Sequence, residues 1–112
     1  MKVKFDEYSI CEEMKVANSF FSRLIGLMFK KEMKGYDGLL IKRCNSIHTF
    51  FMMFNIDAIF MNKDNEVIRI YKSIKPWRMT RIVWKATQVL ELRPGTTPEN
   101  LKKGDVLTIC TS

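Results

Sequence analysis

Short apolar runs separated by polar turns dominate the pattern of hydrophobic and polar positions, and such a pattern predicts a β-rich protein. Apolar residues occupy both faces of the stretch 45–60, NSIHTFFMMFNIDAIF, which is typical of strands buried on two sides. The turn at 63–65 predicts a hairpin after that stretch. The predicted strands are residues 3–5, 8–11, 39–41, 46–53, 56–61, 67–71, 89–92 and 106–110.

Helical spacing occurs in two places. Apolar residues recur at three- and four-residue spacing after Asn18 and Ser19, either of which can cap a helix. They are Phe20, Phe21, Leu24, Ile25, Leu27 and Met28. We therefore predict one main helix at about 19–30, with Arg23 facing outward. A short helix is predicted at about 97–103, because a hydroxyl cap, an early proline and a glutamate mark its start.

These elements predict a β-rich α+β fold, with a barrel-like and mostly antiparallel sheet. A chain of 112 residues suits a single compact domain over 1–112, and no linker or repeat divides it. The N-terminal region is charged, and no apolar run is long enough for a membrane helix. We therefore expect a cytoplasmic protein that does not enter a membrane.

The three cysteines are Cys11, Cys44 and Cys110, and their wide spacing predicts free thiols in a reducing compartment. Together with His48 they have the composition of a zinc site, but they lack the close pairs that such sites use. Buried thiols explain them better. We expect neither a metal nor a cofactor.

The candidate chemistry begins with His48, Thr49 and Asp57, three polar residues in an otherwise apolar stretch. A triad that includes His48 and Asp57 is one interpretation, but no activated turn surrounds a nucleophile there. A hydrogen-bonded histidine in the core or at the edge of a pocket is the more common outcome. For Asp57 we favour backbone amides of the turn at 54–55 as partners, and pairing with His48 or an arginine in a pocket stays open.

Residues 71–85, YKSIKPWRMTRIVWK, form a basic aromatic segment with five cations and no acidic residue. The net charge of the chain is +7, so this segment carries much of it. Such a segment can bind nucleic acid by pairing with phosphates and stacking on bases. The interpretation we favour is a loop whose tryptophans are buried while its cations are solvated. The candidate nucleic-acid contacts are Lys72, Lys75, Arg78, Arg81 and Lys85.

Glu91 lies in the predicted strand 89–92, on the face opposite Leu90 and Leu92. It is either exposed to solvent or the acidic counterpart of Arg78 or His48 inside a cavity. The sequence leaves both interpretations open.

Six ordered blocks resemble the small prokaryotic family called domain of unknown function 192, or uncharacterised protein family 0127. They are residues 23–28, 47–52, 56–60, 75–78, 89–96 and 104–105, so the resemblance covers about 17–109. It implies a compact β-rich α+β fold without an established activity. It also implies a polar cluster at His48, Thr49, Met52, Asp57, Pro76 and Glu91.

The chain departs from the family pattern at two positions. Met53 and Asn55 stand where many relatives have arginine and proline, so a positive charge and a turn proline are missing. The resemblance therefore leaves open whether this chain binds the same ligand as such relatives.

Our leading hypothesis is a non-catalytic ligand-binding or accessory module, with a small polar pocket under the basic aromatic segment. Its partner would be an unknown small molecule or protein. The candidate ligand-binding residues are His48, Thr49, Asp57, Trp77, Arg78 and Glu91. The alternatives are a small hydrolase that uses His48 with Asp57 or Glu91, and a nucleic-acid binder.

Overall fold

The structure is a computed structural model that describes residues 1–110, apart from the side chain of Phe20. This part of the chain contains eight strands and one short helix. The strands are β1 (Lys2–Phe5), β2 (Tyr8–Cys11), β3 (Met14–Ala17), β4 (Gly38–Lys42), β5 (Ile56–Met61), β6 (Val67–Ile74), β7 (Gln88–Leu92) and β8 (Thr108–Cys110). The helix is α1 (Phe20–Ile25).

The strands form two sheets. A three-stranded sheet has the order β2-β1-β8, and a five-stranded sheet has the order β3-β4-β7-β5-β6. Within residues 1–110, every strand pair is antiparallel except β3 with β4. The β-rich α+β class is confirmed. The barrel-like arrangement is not, since the described strands form two open sheets.

The two faces of the five-stranded sheet have different coverings. One face carries Leu40, Ile59 and Leu90, which pack with residues of the three-stranded sheet such as Val3. The other face carries apolar residues such as Phe60, and non-strand segments of the chain pack over it. This second cluster includes Leu27, Ile47, Met52, Val83 and Ala86. Strands β5 and β7 are therefore buried on both sides, as the apolar pattern of 56–61 predicts.

The predicted helix at 19–30 is too long. Ser19 caps α1 through its side chain, but the helix ends at Ile25 because Gly26 takes a φ of +50°. The apolar residues at helical spacing do not all face the core either, since Phe21 is 71% exposed and Leu24 is 53% exposed. Residues 97–103 form turns and not a helix.

The predicted strand at 46–53 is also wrong. Its only ladder contact in the described residues is an isolated bridge between His48 and Met79. Phe51 has a φ of +63°, which interrupts an extended chain. The segment is a loop, held by Thr49 and Ile47 to residues 77–80 through backbone hydrogen bonds.

Candidate functional site

A cavity of about 110 Å³ lies between the five-stranded sheet and the segments that follow α1 and β4. Most of its wall is apolar. The polar and ionisable side chains that line it are Arg23, Cys44, Ser46, His48 and Glu91. The apolar side chains are Leu24, Ile25, Leu27, Met28, Ile41, Ile47 and Met52. We call it the Glu91 cavity.

Glu91 is held rigidly because it lies in β7, the middle strand of the sheet. Its neighbours across the sheet are Leu39 of β4 and Ala58 of β5, which share its face and offer no polar group. The residue is only 2% exposed, and no hydrogen bond or ion pair to its carboxyl group occurs among residues 1–110. Burial raises the pKa of Glu91 from an ordinary value of 4.5 to about 8. At neutral pH the group is therefore a neutral acid that can donate one hydrogen bond and accept others.

Gly26 lies next to this carboxyl group. A Cβ atom added at Gly26 would lie 3.8 Å from Oε1 of Glu91. Its φ of +50° is in the region that favours glycine, and the missing side chain leaves the space above Glu91 open. The end of α1 thus fixes both the backbone turn and the shape of the cavity.

Arg23 also contributes to the cavity, although the sequence pattern predicts that it faces outward. Its Nη2 donates to the carbonyl oxygen of Arg43 at 2.9 Å, which fixes the guanidinium group. Its Nε is buried and has no hydrogen-bond partner among the residues that the structure describes. A buried donor without a partner costs free energy, and such groups are uncommon in folded proteins. Both Arg23 and Glu91 therefore line the same cavity, and each has a polar group without a partner among residues 1–110.

His48 lines the cavity as well. Its Nδ1 accepts a hydrogen bond from the backbone N–H of Phe50 at 3.2 Å, and the two rings stack with their centroids 5.0 Å apart. A ring nitrogen that accepts a hydrogen bond carries no proton, so the neutral imidazole has its proton on Nε2. His48 thus keeps one N–H group for a ligand.

Cys44 also lines the cavity, and both Glu91 and Arg23 act electrostatically on its thiol. Its Sγ donates to the carbonyl oxygen of Ser46 at 3.0 Å. Burial raises the pKa of the Cys44 thiol, and the negative charge on Glu91 would raise it further. The group is therefore a thiol, which is a poor nucleophile.

Thr49 is buried but does not line the cavity. Its hydroxyl accepts from the backbone N–H of Arg78 at 2.8 Å and donates to the carbonyl oxygen of Lys75 at 2.7 Å. Its backbone also bonds to Arg78 and Trp77. These bonds use the polar groups of Thr49 to hold the basic aromatic segment in place.

Asp57 lies on the opposite face of the sheet from Glu91. It pairs across β5 and β7 with Leu92, whereas the next residue along β5 pairs with Glu91. Its Oδ1 accepts from the backbone N–H of Ser73 at 2.9 Å, and its Oδ2 accepts from the hydroxyl and the backbone N–H of Thr97 at 2.7 and 3.2 Å. Backbone amides do satisfy Asp57, but they are not those of the turn at 54–55. Asp57 does not face His48.

The basic aromatic segment lies outside the cavity. Trp77 is 56% exposed and packs its ring edge-on against Phe51, with centroids 4.7 Å apart. Trp84 is 82% exposed. The expectation that the tryptophans are buried is therefore wrong. All five candidate cations of the segment are exposed, and Lys72 lies 3.8 Å from Glu99.

The structure thus brings together only two of the six candidate ligand-binding residues, His48 and Glu91. Met52, which the family resemblance implies, lines the same cavity. Sequence reasoning missed Arg23 and Gly26 as parts of the site. Both lie in the block 23–28, which is one of the blocks on which the family resemblance rests. That block is the feature of the sequence that could have indicated them.

Two kinds of feature are absent from the described residues: a cluster of metal ligands and a helix that could span a membrane. No group of three or more His, Cys, Asp or Glu side chains in residues 1–110 is arranged to hold a metal ion. No helix in this part of the chain is long and apolar enough to cross a membrane.

Fold and site together define a β-rich α+β domain with a partly enclosed cavity over a buried glutamate. The chain belongs to the DUF192 family, described as "Uncharacterized ACR", because it matches that family over residues 2–109. This match begins earlier than the predicted span of about 17–109.

Archaeal proteins are among the relatives. The chain is 38% identical over 82 residues to a UPF0127 protein of Pyrococcus horikoshii, in an alignment that covers 70% of each protein. It is 39% identical over 69 residues to a UPF0127 protein of Pyrococcus furiosus, with 59% of each covered. A UPF0127 protein of Thermococcus sibiricus is 40% identical over 70 residues, which are 58% of this chain and 44% of that protein.

Two solved structures share the fold. A protein of unknown function from Novosphingobium aromaticivorans matches with a TM-score of 0.74 and 21% identity, over 86% of this chain and 74% of that one. A putative transcription regulator from Sinorhizobium meliloti matches with a TM-score of 0.71 and 23% identity, over 85% and 79%. At these identities the likeness establishes the fold alone.

Proposed function

We propose that this domain binds a small molecule in the Glu91 cavity and does not itself catalyse a reaction. One observation carries the proposal: Glu91 and Arg23 both line this cavity, and neither the Glu91 carboxyl group nor the Arg23 Nε has a partner among the described residues. A fold that needed only stability would satisfy or remove such groups, because each costs about 1–3 kcal/mol when left unpaired. A ligand bound in the cavity would satisfy the Glu91 carboxyl group.

The size of the cavity limits the ligand. Its volume is about 110 Å³, whereas a cavity of about 150 Å³ is known to hold benzene. We infer a ligand of only a few non-hydrogen atoms, or the narrow end of a larger molecule. The mostly apolar wall with a few polar groups is typical of small-molecule sites.

The nearby nucleophile candidates argue against catalysis. The pKa of Cys44 is raised, so the thiolate that a cysteine nucleophile needs is disfavoured. The Thr49 hydroxyl is fully engaged with Lys75 and Arg78. Asp57 cannot orient His48, since it lies on the other face of the sheet. A non-catalytic role fits these contacts better than a hydrolase.

An NMR screen tests the proposal. We expect small polar fragments at millimolar concentration to shift the backbone signals of Gly26, His48 and Glu91, because these residues surround the cavity. Signals of Ser73 and Thr97, on the Asp57 side, serve as the internal control and are expected to stay unchanged. If no fragment in a chemically diverse panel shifts the cavity signals selectively, the proposal is wrong.

Nucleic-acid binding is the second candidate, and the exposure of Trp77 and Trp84 favours it. The Sinorhizobium meliloti protein that shares the fold is named a putative transcription regulator, which is a further reason to test it. Binding through the basic aromatic segment predicts an affinity that falls steeply with added salt. Lys75→Ala and Arg78→Ala would each flatten that salt dependence by about one unit. An absence of retention on DNA and RNA at low salt would exclude this candidate. A cytoplasmic location stays a prediction from the sequence.

A further inference from the structure

We propose that the ligand of the Glu91 cavity is a short aliphatic carboxylate, held by Arg23, His48 and the Glu91 carboxyl group. This inference rests on the proposed function, because it assigns a chemical class to the molecule in that cavity. Three features of the wall carry it: the number of donors, the sign of the fixed charge and the apolar lining.

The polar side chains of the cavity are mainly donors, and the hydroxyl of Ser46 can either donate or accept. Arg23 lines the cavity and carries only N–H donors, of which Nε–H is buried and unpaired among residues 1–110. His48 offers Nε2–H, since the backbone of Phe50 occupies Nδ1. Glu91 offers an O–H when protonated, and the Cys44 thiol is already bonded to Ser46. A ligand that fits three donors must supply several acceptor lone pairs, and a carboxylate has about four.

The charge of the cavity also favours an anion. Arg23 carries the fixed positive charge, whereas Cys44, His48 and Glu91 are the other titratable groups that line the space. Residues Leu39 and Ala58, which flank Glu91 in the sheet, carry no charge. A carboxylate would form a charge-assisted hydrogen bond with Arg23. A cation would be repelled by Arg23 and would have to ionise Glu91.

The apolar part of the cavity wall is the reason to expect an aliphatic chain on the ligand. Leu27, Ile41, Ile47 and Met52 are buried and line the cavity without polar atoms that a second polar group could use. A tail of roughly two to four carbon atoms suits the small volume by comparison with benzene-sized cavities. Propionate and butyrate are therefore suitable probes.

The experiment compares three probes of matched shape by NMR titration of the full chain: propionate, propionamide and propylamine. We expect propionate to bind at least tenfold more tightly than either of the others at pH 7. Its affinity is expected to fall about tenfold per pH unit above pH 8, because binding then requires protonation of Glu91. Glu91→Gln is expected to remove this fall, since an amide donates a hydrogen bond at every pH.

A matched pair of arginine variants tests the ion pair. Arg23→Gln is expected to weaken propionate binding at least tenfold, whereas Arg69→Gln, at an exposed position outside the cavity, is expected to change it less than twofold. Equal losses in the two variants would show that overall charge, and not the Arg23 contact, attracts the anion. The pH profile of the unmutated protein tests the inference even where Arg23→Gln fails to fold.

The outcomes separate this inference from the proposed function. Tighter binding of propylamine or propionamide at the cavity residues would overturn the carboxylate and leave a ligand-binding domain. Binding of propionate away from Gly26, His48 and Glu91 would overturn the carboxylate site as well. If none of the probes and no fragment of the diverse panel binds the cavity, both proposals fail.

Discussion

Asp57 and Glu91 are two buried carboxyl groups on neighbouring strands of one sheet, and they are in opposite situations. Asp57 is 1% exposed and accepts hydrogen bonds from three donors of Ser73 and Thr97. Glu91 is 2% exposed and lines a cavity without any partner among residues 1–110. Burial alone therefore does not distinguish a structural acid from a functional one.

The hydrogen-bond partners make the distinction. Asp57 joins β5 to the end of β6 and to the turn at 96–97, so it stabilises the face that packs on the three-stranded sheet. Glu91 has no hydrogen-bond partner in the described part of the chain, and burial favours its protonated form. A satisfied buried acid holds a fold together, whereas an unsatisfied one beside a cavity marks a site where a ligand can complete the bonding.

The largest expected effect is on the Asp57 side. Asp57→Ala leaves the amides of Ser73 and Thr97 and the Thr97 hydroxyl without their acceptor. We expect a loss of about 4 kcal/mol in the free energy of unfolding, measured by denaturant titration. The cavity should keep its affinity for ligand in whatever fraction is folded. A loss below about 1 kcal/mol would contradict the structural role of Asp57.

Glu91 should instead make stability depend on pH. The folded protein keeps a proton between the ordinary pKa of 4.5 and the raised pKa of about 8, while the unfolded chain has lost it. The contribution of Glu91 to the free energy of unfolding is therefore fully present below pH 4.5. It falls by about 1.4 kcal/mol per pH unit as pH rises toward 8, which amounts to about 3 kcal/mol by pH 7. Glu91→Gln should remove this dependence and be at least as stable as the unmutated protein at pH 7. If the stability of both proteins changed with pH in parallel, the raised pKa of Glu91 would be contradicted.

Thr97→Val sharpens the comparison, because it removes one of the three donors to Asp57 and keeps the side-chain shape. We expect a loss of about 1.5 kcal/mol in unfolding free energy, since the hydroxyl donates to a buried carboxylate at 2.7 Å. Thr108→Val is the control, at an exposed position in the edge strand β8, and should change stability by less than about 0.5 kcal/mol. Equal losses would mean that the Asp57 bond contributes little.

Two glycines test the shape of the Glu91 side. Gly26→Ala forces an alanine into a φ of +50° and places a methyl group 3.8 Å from Oε1 of Glu91. We expect a loss of about 1 kcal/mol from backbone strain, together with weaker ligand binding. Gly35 has a φ of +83°, and a Cβ atom added there would have no described neighbour within 4 Å. Gly35→Ala should therefore show the backbone strain without the change in ligand binding. Unchanged binding in Gly26→Ala would show that the ligand does not lie beside Gly26.

The sequence predicts the strands well where a short apolar run is bounded by turn residues. The bounds of β5 match the predicted strand 56–61, and the hairpin turn at 63–65 connects β5 to β6 as expected. It fails for 46–53, because the apolar residues there pack as a loop fixed by Thr49 to a segment about 26 residues away. It also fails for the helix, because the positive φ of Gly26 ends α1 inside the apolar pattern.

The site is only partly predictable for a related reason. The placement of Glu91 opposite Leu90 and Leu92 follows from strand alternation, and the structure confirms that face. Which face of the sheet holds a cavity depends on the segments that pack over it. On the Glu91 face these segments are α1 and the loop after β4. Arg23 fits an outward position in the helix pattern, yet its Nε is buried and its Nη2 donates to the carbonyl oxygen of Arg43, twenty residues away. The partners of Asp57 lie 16 and 40 residues away, which a local pattern does not encode.

The most direct test of the contrast is a carbon-13 NMR titration of the side-chain carboxyl group of Glu91, assigned by its loss in Glu91→Gln. We predict a midpoint near pH 8 in the free protein, and a higher midpoint when propionate is bound. A midpoint at or below the ordinary value of 4.5 would mean that Glu91 is ionised and already paired. That result would contradict the assignment of this cavity as a ligand site.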